Sequence, residues 1–183
     1  MLDEKTGYQV SITGMAHGTH EGNGYMAWLS TAINDFDIAS PLDFLMITPD
    51  SPIHICIQAL GCANTAAVIQ TYEDTGVLAQ FNVAGGTAYI PRNKNRNSAK
   101  TSVVTLTHTP VVTAATVDAL IQERHAGKSG AHLSYEIILR ANTAYLFRFL
   151  SMDDDNEGSL NLDWVEFAER VPSGFAGVIP PNI

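Results

Sequence analysis

Apolar and polar positions alternate over short spans along most of the chain. In "PIHICIQAL" (52–60), Ile53, Ile55, Ile57 and Ala59 fall on one side and His54, Cys56 and Gln58 on the other. A period of two marks a strand with one buried face. "YQVSITGM" (8–15) repeats the pattern with Val10 and Ile12. "LDFLMITP" (42–49) is nearly continuously apolar and is stopped by Pro49 and Asp50. "TAAVIQTYED" (65–74) and "TSVVTLTHTP" (101–110) are rich in β-branched residues, which favour strands. "HLSYEIILR" (132–140), "TAYLFRFLS" (143–151) and "SLNLDWVEF" (159–167) complete the set. Strands this short and this closely spaced predict an all-β protein. The expected architecture is an antiparallel β-sandwich, jelly-roll-like, with at most one or two short helices.

One segment departs from the pattern. "TAATVDALIQERHAG" (113–127) predicts a short helix, with Thr116 as N-cap, Asp118 in the first turn and Gly127 as the stop. "NGYMAWLSTAINDFDIAS" (23–40) fits helix and strand equally. No repeat or linker divides the chain, so residues 1–170 read as a single sandwich domain. Residues 171–183, with three prolines and little periodicity, read as an extended tail.

Composition narrows the classes of partner. The chain has 183 residues, 45% of them hydrophobic and 16% charged, with a formal net charge of −9. That balance disfavours nucleic acid and anionic membrane. No apolar run approaches the roughly 18 residues of a membrane span. The acidic start "MLDEKTGYQVSITG" does not have the pattern of a signal peptide. Cys56, placed by its apolar neighbours in the core, and Cys62 read as two reduced thiols of a cytosolic protein.

Candidate chemistry is sparse. "MDDDNEG" (152–158) resembles the start of a calcium loop, with Asp153, Asp155 and Glu157 at alternate positions and Gly158 at the sixth. The closing position is Trp164, which cannot bind a cation, and the flanks are strands. A hairpin turn that holds no ion is expected, with Gly158 taking the awkward backbone angle. His17 and His20, beside Glu21, are three apart on a strand or loop and do not converge on a metal. "AGKSG" (126–130) does not have the leading glycine of a phosphate loop, which would fall at Gln122. No nucleophile elbow is present, and no catalytic residue, cofactor or metal is assigned.

"PRNKNRNSAK" (91–100) is more telling. Arg92, Lys94, Arg96 and Lys100 are four of the chain's ten basic residues, gathered in one polar loop. Such a cluster on an acidic protein suits docking onto an acidic partner surface. Nucleic acid fits poorly, because no aromatics are interleaved for stacking. Arg148 lies between Phe147 and Phe149 and needs a partner, for which Asp163 or Glu136 is expected. Trp164 alternates with Leu160 and Leu162 and belongs in the core, whereas Trp28 is a candidate for exposure.

The order of these pieces resembles a family of tailed-bacteriophage virion proteins. The pieces are "SITG", "AHGTHEG", "ITPDSPIHICIQA", "YEDTG", "RNKNRNSAKTSVVTLTHTPVVT", "GKSG", "YEIILRANTAYLFRFLS" and "LNLDWVE". The likeness runs from about residue 8 to residue 169 and is most specific over 92–112 and 135–166. It implies a head-decoration protein: a β-sandwich acting as a homotrimer, bound to the major capsid protein on the outer head surface and assembled in the bacterial host cytoplasm. No catalytic residues come with it. The alternative is a tail- or fibre-associated module recognising host glycans, for which Trp28 is the candidate aromatic. Tyr145, Phe147 and Phe149 point one way from their strand and Leu146 and Leu150 the other, while one face suffices for a core. A subunit interface is therefore expected at Tyr145, Phe147, Phe149, Val165 and Phe167.

Overall fold

A computed structural model of the chain describes residues 14–32, 35–61, 66–74, 83–112, 119–126 and 131–166. A short helix, α1 (Gly14–His20), precedes β1 (Gly24–Ser30), β2 (Leu42–Ile47), β3 (Ile53–Gly61) and β4 (Ala67–Asp74). Five brief strands follow: β5 (Val83–Ala84), β6 (Thr87–Ala88), β7 (Arg92–Asn93), β8 (Thr105–His108) and β9 (Val111–Val112). The last are β10 (Leu120–Ala126), β11 (Ala131–Leu139), β12 (Ala144–Ser151) and β13 (Gly158–Glu166).

The strands form an antiparallel sandwich. One sheet has the order β11-β3-β13-β1-β7, the other β10-β4-β12-β2-β8-β6, and β5 pairs with β9 apart from both. The long strands pair as a nested set: β1 with β13, β2 with β12, β3 with β11 and β4 with β10. Successive members of each half alternate between sheets. One long antiparallel ribbon wound on itself gives this order.

Period-two alternation puts one side of each strand inside. From the first sheet come Ile53, Ile55, Ile57, Leu160, Leu162 and Trp164, all fully buried. From the second come Phe44, Met46, Ile69, Tyr145, Phe147 and Phe149, buried to 1% exposure or less. Each such side chain stabilises the fold by roughly 1.5–3 kcal/mol relative to exposure. Trp164 is thus in the core, as its spacing requires.

The interface expectation fails here in part. Tyr145, Phe147 and Phe149 fill the chain's own core, and Val165 is 1% exposed. α1 covers Val165 so closely that a Cβ on Gly18 would collide with it. Phe167 lies outside the described residues. The second face of β12 is covered as well: Leu146 packs with Leu45, Tyr72, Ala144 and Ala119 in a separate apolar cluster. Ala119 stands at the entry to β10, on the far side of β4 and β12 from β8. The surplus apolar face is therefore used within the chain.

Other local expectations also change. Residues 120–126 of the expected helix form β10, paired with β4 through a bulge between Leu120 and Gln122. Thr116, Asp118 and Gly127 lie outside the described residues. Pairing to the free edge of β4 outweighs a helix preference of tenths of a kcal/mol (~0.5) per residue. Met15 of the expected first strand sits in α1; residues 8–13 are not among those described. Within segment 23–40, Gly24–Ser30 form β1 and Phe36 bridges to Asn156; residues 33 and 34 lie outside those described. Cys56 lies on the outward face of its sheet, half-buried beside Ser134 and Gln58, because its neighbours Ile55 and Ile57 take the inward face. Cys62 falls outside the described residues.

Candidate functional site

The loop singled out for its charge is an ordered strap. After β6, at the edge of the second sheet, the chain crosses to β7, at the edge of the first, and returns to β8. Two left-handed glycines, Gly85 (φ 67°) and Gly86 (φ 95°), turn the chain from β5 into β6. Gly86 also needs the space, since a Cβ there would lie 2.5 Å from Thr107 Cγ2.

Tyr89 pins the crossing. Its ring meets Phe44 edge-on at 5.3 Å between centroids and His108 at 5.9 Å. Its hydroxyl accepts from Trp28 N (3.2 Å) and lies 3.3 Å from Trp28 O. These are edge groups of β1 beyond its two-residue pairing with β7. Tyr89 therefore fills the seam between the sheets and satisfies an open strand edge.

The asparagines hold the next turn. Asn93 Nδ2 donates to the carbonyls of Gly22 (2.8 Å) and Lys100 (3.1 Å), and its Oδ1 accepts from Asn95 N (2.9 Å). Asn95 Nδ2 donates to His20 O (2.9 Å), and its Oδ1 accepts from Asn97 N (3.1 Å). Side-chain amides replace a regular ladder.

Glu166 clips the returning arm. Ser102 Oγ donates to Oε1 at 2.5 Å, Trp164 Nε1 donates to Oε1 at 3.0 Å, and Val103 N donates to Oε2 at 3.0 Å. A carboxylate this buried is tolerable because three donors replace water. Between clip and sheet lies a cleft of ≈ 400 Å³, lined by Asn23, Tyr25, Ser51, Lys100, Thr101, Val103 and Glu166. Burial there pushes the Tyr25 hydroxyl above its usual range, and the Glu166 charge adds to it.

The four cations are not equivalent. The Arg92 guanidinium lies 4.9 Å from the Trp28 ring centroid, a cation–π contact on the outward sheet face. Lys94 Nζ pairs with Asp163 at 3.3 Å. Lys100 Nζ donates to Glu21 O (2.9 Å) and Asn23 Oδ1 (2.8 Å). Arg96 is exposed and makes no ion pair with any described residue. The four cations lie on one strap as expected, but Lys94 is paired with Asp163 and Lys100 is tied down by the neutral oxygens of Glu21 and Asn23, leaving Arg92 and Arg96 as its untethered exposed cations among the described residues.

Compared with protein-family models, curated proteins and solved structures, the chain matches none.

The acidic turn lies at the other end of β13. It joins β12 in one sheet to β13 in the other, so it is a crossover and not the expected hairpin. The left-handed residue is Asp155 (φ 57°), not Gly158. Gly158 is needed for space, since a Cβ there would lie 2.6 Å from Phe36 and 2.9 Å from Phe149. Asp37 Oδ1 accepts from Asp155 N (3.0 Å), and Asp154 Oδ1 accepts from Ile38 N (3.2 Å). His17 and His20 stand on α1, not on a strand or loop, with His17 3.6 Å from Glu21. Among the described residues no three His, Cys, Asp or Glu side chains are grouped as a metal site requires. Most of "AGKSG" lies outside them, and no described helix is long and apolar enough to cross a membrane.

Arg148 pairs with Asp43, not with Asp163 or Glu136. Its Nε and Nη2 donate to the two carboxylate oxygens at 2.9 and 2.7 Å. Sequence reasoning missed Asp43, Tyr89 and Glu166. Asp43 was legible as a lone charge inside an apolar run. Tyr89 and Glu166 carried no local sign of their work, which depends on chain segments far away in sequence.

Proposed function

We propose that the chain is a bacteriophage structural protein, a capsid decoration or cement protein that binds the outside of the head and stabilises it. One observation carries the reading: an antiparallel sandwich bears a strap, fastened by side-chain hydrogen bonds, on which Arg92, Arg96, Ile90 and Val103 are all exposed. Arginine is enriched in protein interfaces, whose buried centres are more apolar than their rims. The nested strand order supports reading the sandwich as a jelly roll, an architecture that recurs among viral capsid domains, although fold alone does not assign function. The proposed partner is the major capsid protein, and the proposed state is a homotrimer, in which three modest contacts sum to firm attachment. The glycan-binding alternative rests on Trp28, whose half-buried ring lies under the Arg92 guanidinium and offers little open face to a sugar.

The test is co-sedimentation with expanded, undecorated heads of the virus that encodes the chain, over a salt series. Wild type is expected to pellet with heads, and Arg92→Glu with Arg96→Glu to weaken binding at least tenfold at low salt. A chain truncated after residue 170 is expected to keep most of its binding. If the reversed strap binds as well as wild type while the truncated chain does not bind, the tail is the anchor and the strap reading is wrong. If wild type itself ignores heads, the decoration reading is wrong.

A further inference from the structure

The strap asks for an acidic surface, and this chain carries one. Asp35, Asp153, Asp154, Asp155 and Glu157 are exposed at the crossover between β12 and β13. None of the ion pairs between described residues involves Asp35, Asp153, Asp154 or Glu157. Two large apolar side chains stand among them, Ile38 at 54% and Met152 at 55% exposure. The strap that carries Arg92 and Arg96 likewise exposes two aliphatic side chains, Ile90 at 87% and Val103 at 65%. Each patch thus pairs two exposed aliphatic side chains with charge, and the charges are opposite.

Both patches are set in place before any encounter. Glu166 and the asparagines hold the strap. The acidic end is fastened through the Phe36–Asn156 bridge, with Phe36 fully buried against Phe149. Little ordering is left for binding to oppose. One chain cannot close the contact on itself. The crossover leads into Gly158 and the strap is bonded to Glu166, the two ends of β13. At the rise of an antiparallel strand these ends are roughly 26 Å apart.

We propose that the strap of one copy docks onto the acidic end of the next, cations against carboxylates and Ile90 and Val103 against Ile38 and Met152. This rests on reading the strap as a docking surface for an acidic protein, and it names that protein as a second copy of the chain. The contact joins two different patches, so it is heterologous and closes into a ring when the rotation allows. A ring is compatible with the net charge of −9. Repulsion between copies is screened beyond about 8 Å at physiological salt, and charge at the contact decides. Reversing the strap then weakens head binding by dismantling the ring and its multivalency.

Light scattering on the full chain over a concentration series tests this, with near-ultraviolet circular dichroism to confirm folding. Wild type is expected at a multiple of the chain mass. Arg92→Glu with Arg96→Glu is expected at the monomer mass at those concentrations, as is Asp153→Lys with Asp154→Lys. The chain carrying all four substitutions, with both charges exchanged, is expected to regain the wild-type mass. If either double variant misfolds, Arg96→Glu and Asp154→Lys, alone and combined, replace them. A reversed strap that keeps its mass, a four-fold variant that stays monomeric, or a monomeric wild type overturns the proposal. The head assay separates the two readings. A reversed strap that keeps its mass yet loses heads leaves decoration standing and removes the ring contact. A four-fold variant that regains its mass, with wild type that ignores heads, does the opposite.

Discussion

Asp43 and Arg148 face each other on neighbouring strands, and the pair shows how far a single residue can be read. The need for a partner followed from one charge between two phenylalanines. The partner's identity did not, because it depends on β12 pairing with β2, a contact between segments about a hundred residues apart. Burial pushes the Asp43 carboxyl above its usual range, with the bonds from Arg148 acting against it. On Arg148 the same bonds hold the proton more firmly. The side chains are 4% and 18% exposed, so losing one strands the other. Asp43→Ala is expected to destabilise by about 3 kcal/mol, at the low end for a buried pair because Arg148 keeps some solvent. Urea denaturation checks this, and a loss below about 1 kcal/mol would count the pair as a surface bridge.

At the scale of elements, polar residues in the turns between strands act as pins. Asn142 takes the left-handed turn (φ 50°), and its N donates to Pro49 O at 2.7 Å. Thr143 N donates to Thr48 Oγ1 at 3.0 Å. The Tyr145 hydroxyl donates to Glu73 (2.6 Å) and accepts from Arg140 N (2.8 Å). Asn93 and Asn95 fasten the strap in the same way to Gly22, in the turn before β1, and to His20, at the end of α1. The strands were legible because a buried face imposes its period on the sequence. β10 was not: its residues are mostly polar, and its pairing to β4 is a long-range contact. The strap has the same character, and Glu166 is its key contact. Glu166→Ala is expected to cost about 2–3 kcal/mol, the loss of several bonds to a charged acceptor. Amide exchange over 98–104 should speed up more than exchange over β3. Uniform acceleration would mean that Glu166 supports the whole sandwich and not the strap.

For the whole molecule, tyrosines tie the two layers together. Tyr135, inside the first sheet, is hydrogen-bonded to Thr71 of the second. Burial pushes its hydroxyl up to about 12, and burial with the Glu73 bond raises Tyr145 further. A group whose folded pKa is raised contributes stability below its unfolded value, near 10, and loses it as pH climbs through the folded value. The sandwich should therefore weaken between about pH 10 and 12. Tyrosinate absorbance is expected in two steps, the second coinciding with loss of near-ultraviolet dichroism. Ionisation of all six tyrosines near pH 10 with the fold intact would contradict this packing.

By itself the sequence determined the class of fold, because strand period and turn residues are local and a two-layer β core needs little else. It also determined that the basic residues 92–100 lie together, since they are neighbours in the chain. Only the tertiary structure decided which apolar face was spare. β12 is apolar on both sides, which reads as core plus subunit contact until Ala119, Tyr72 and Leu45 are seen to cover Leu146. The same holds for charge. Four cations in a row look equivalent until Asp163 neutralises Lys94 and Lys100 turns to the Glu21 carbonyl, leaving Arg92 and Arg96 facing outward. Such choices rest on contacts between distant segments, and a pattern of neighbours along the chain does not encode who will arrive from elsewhere in the fold.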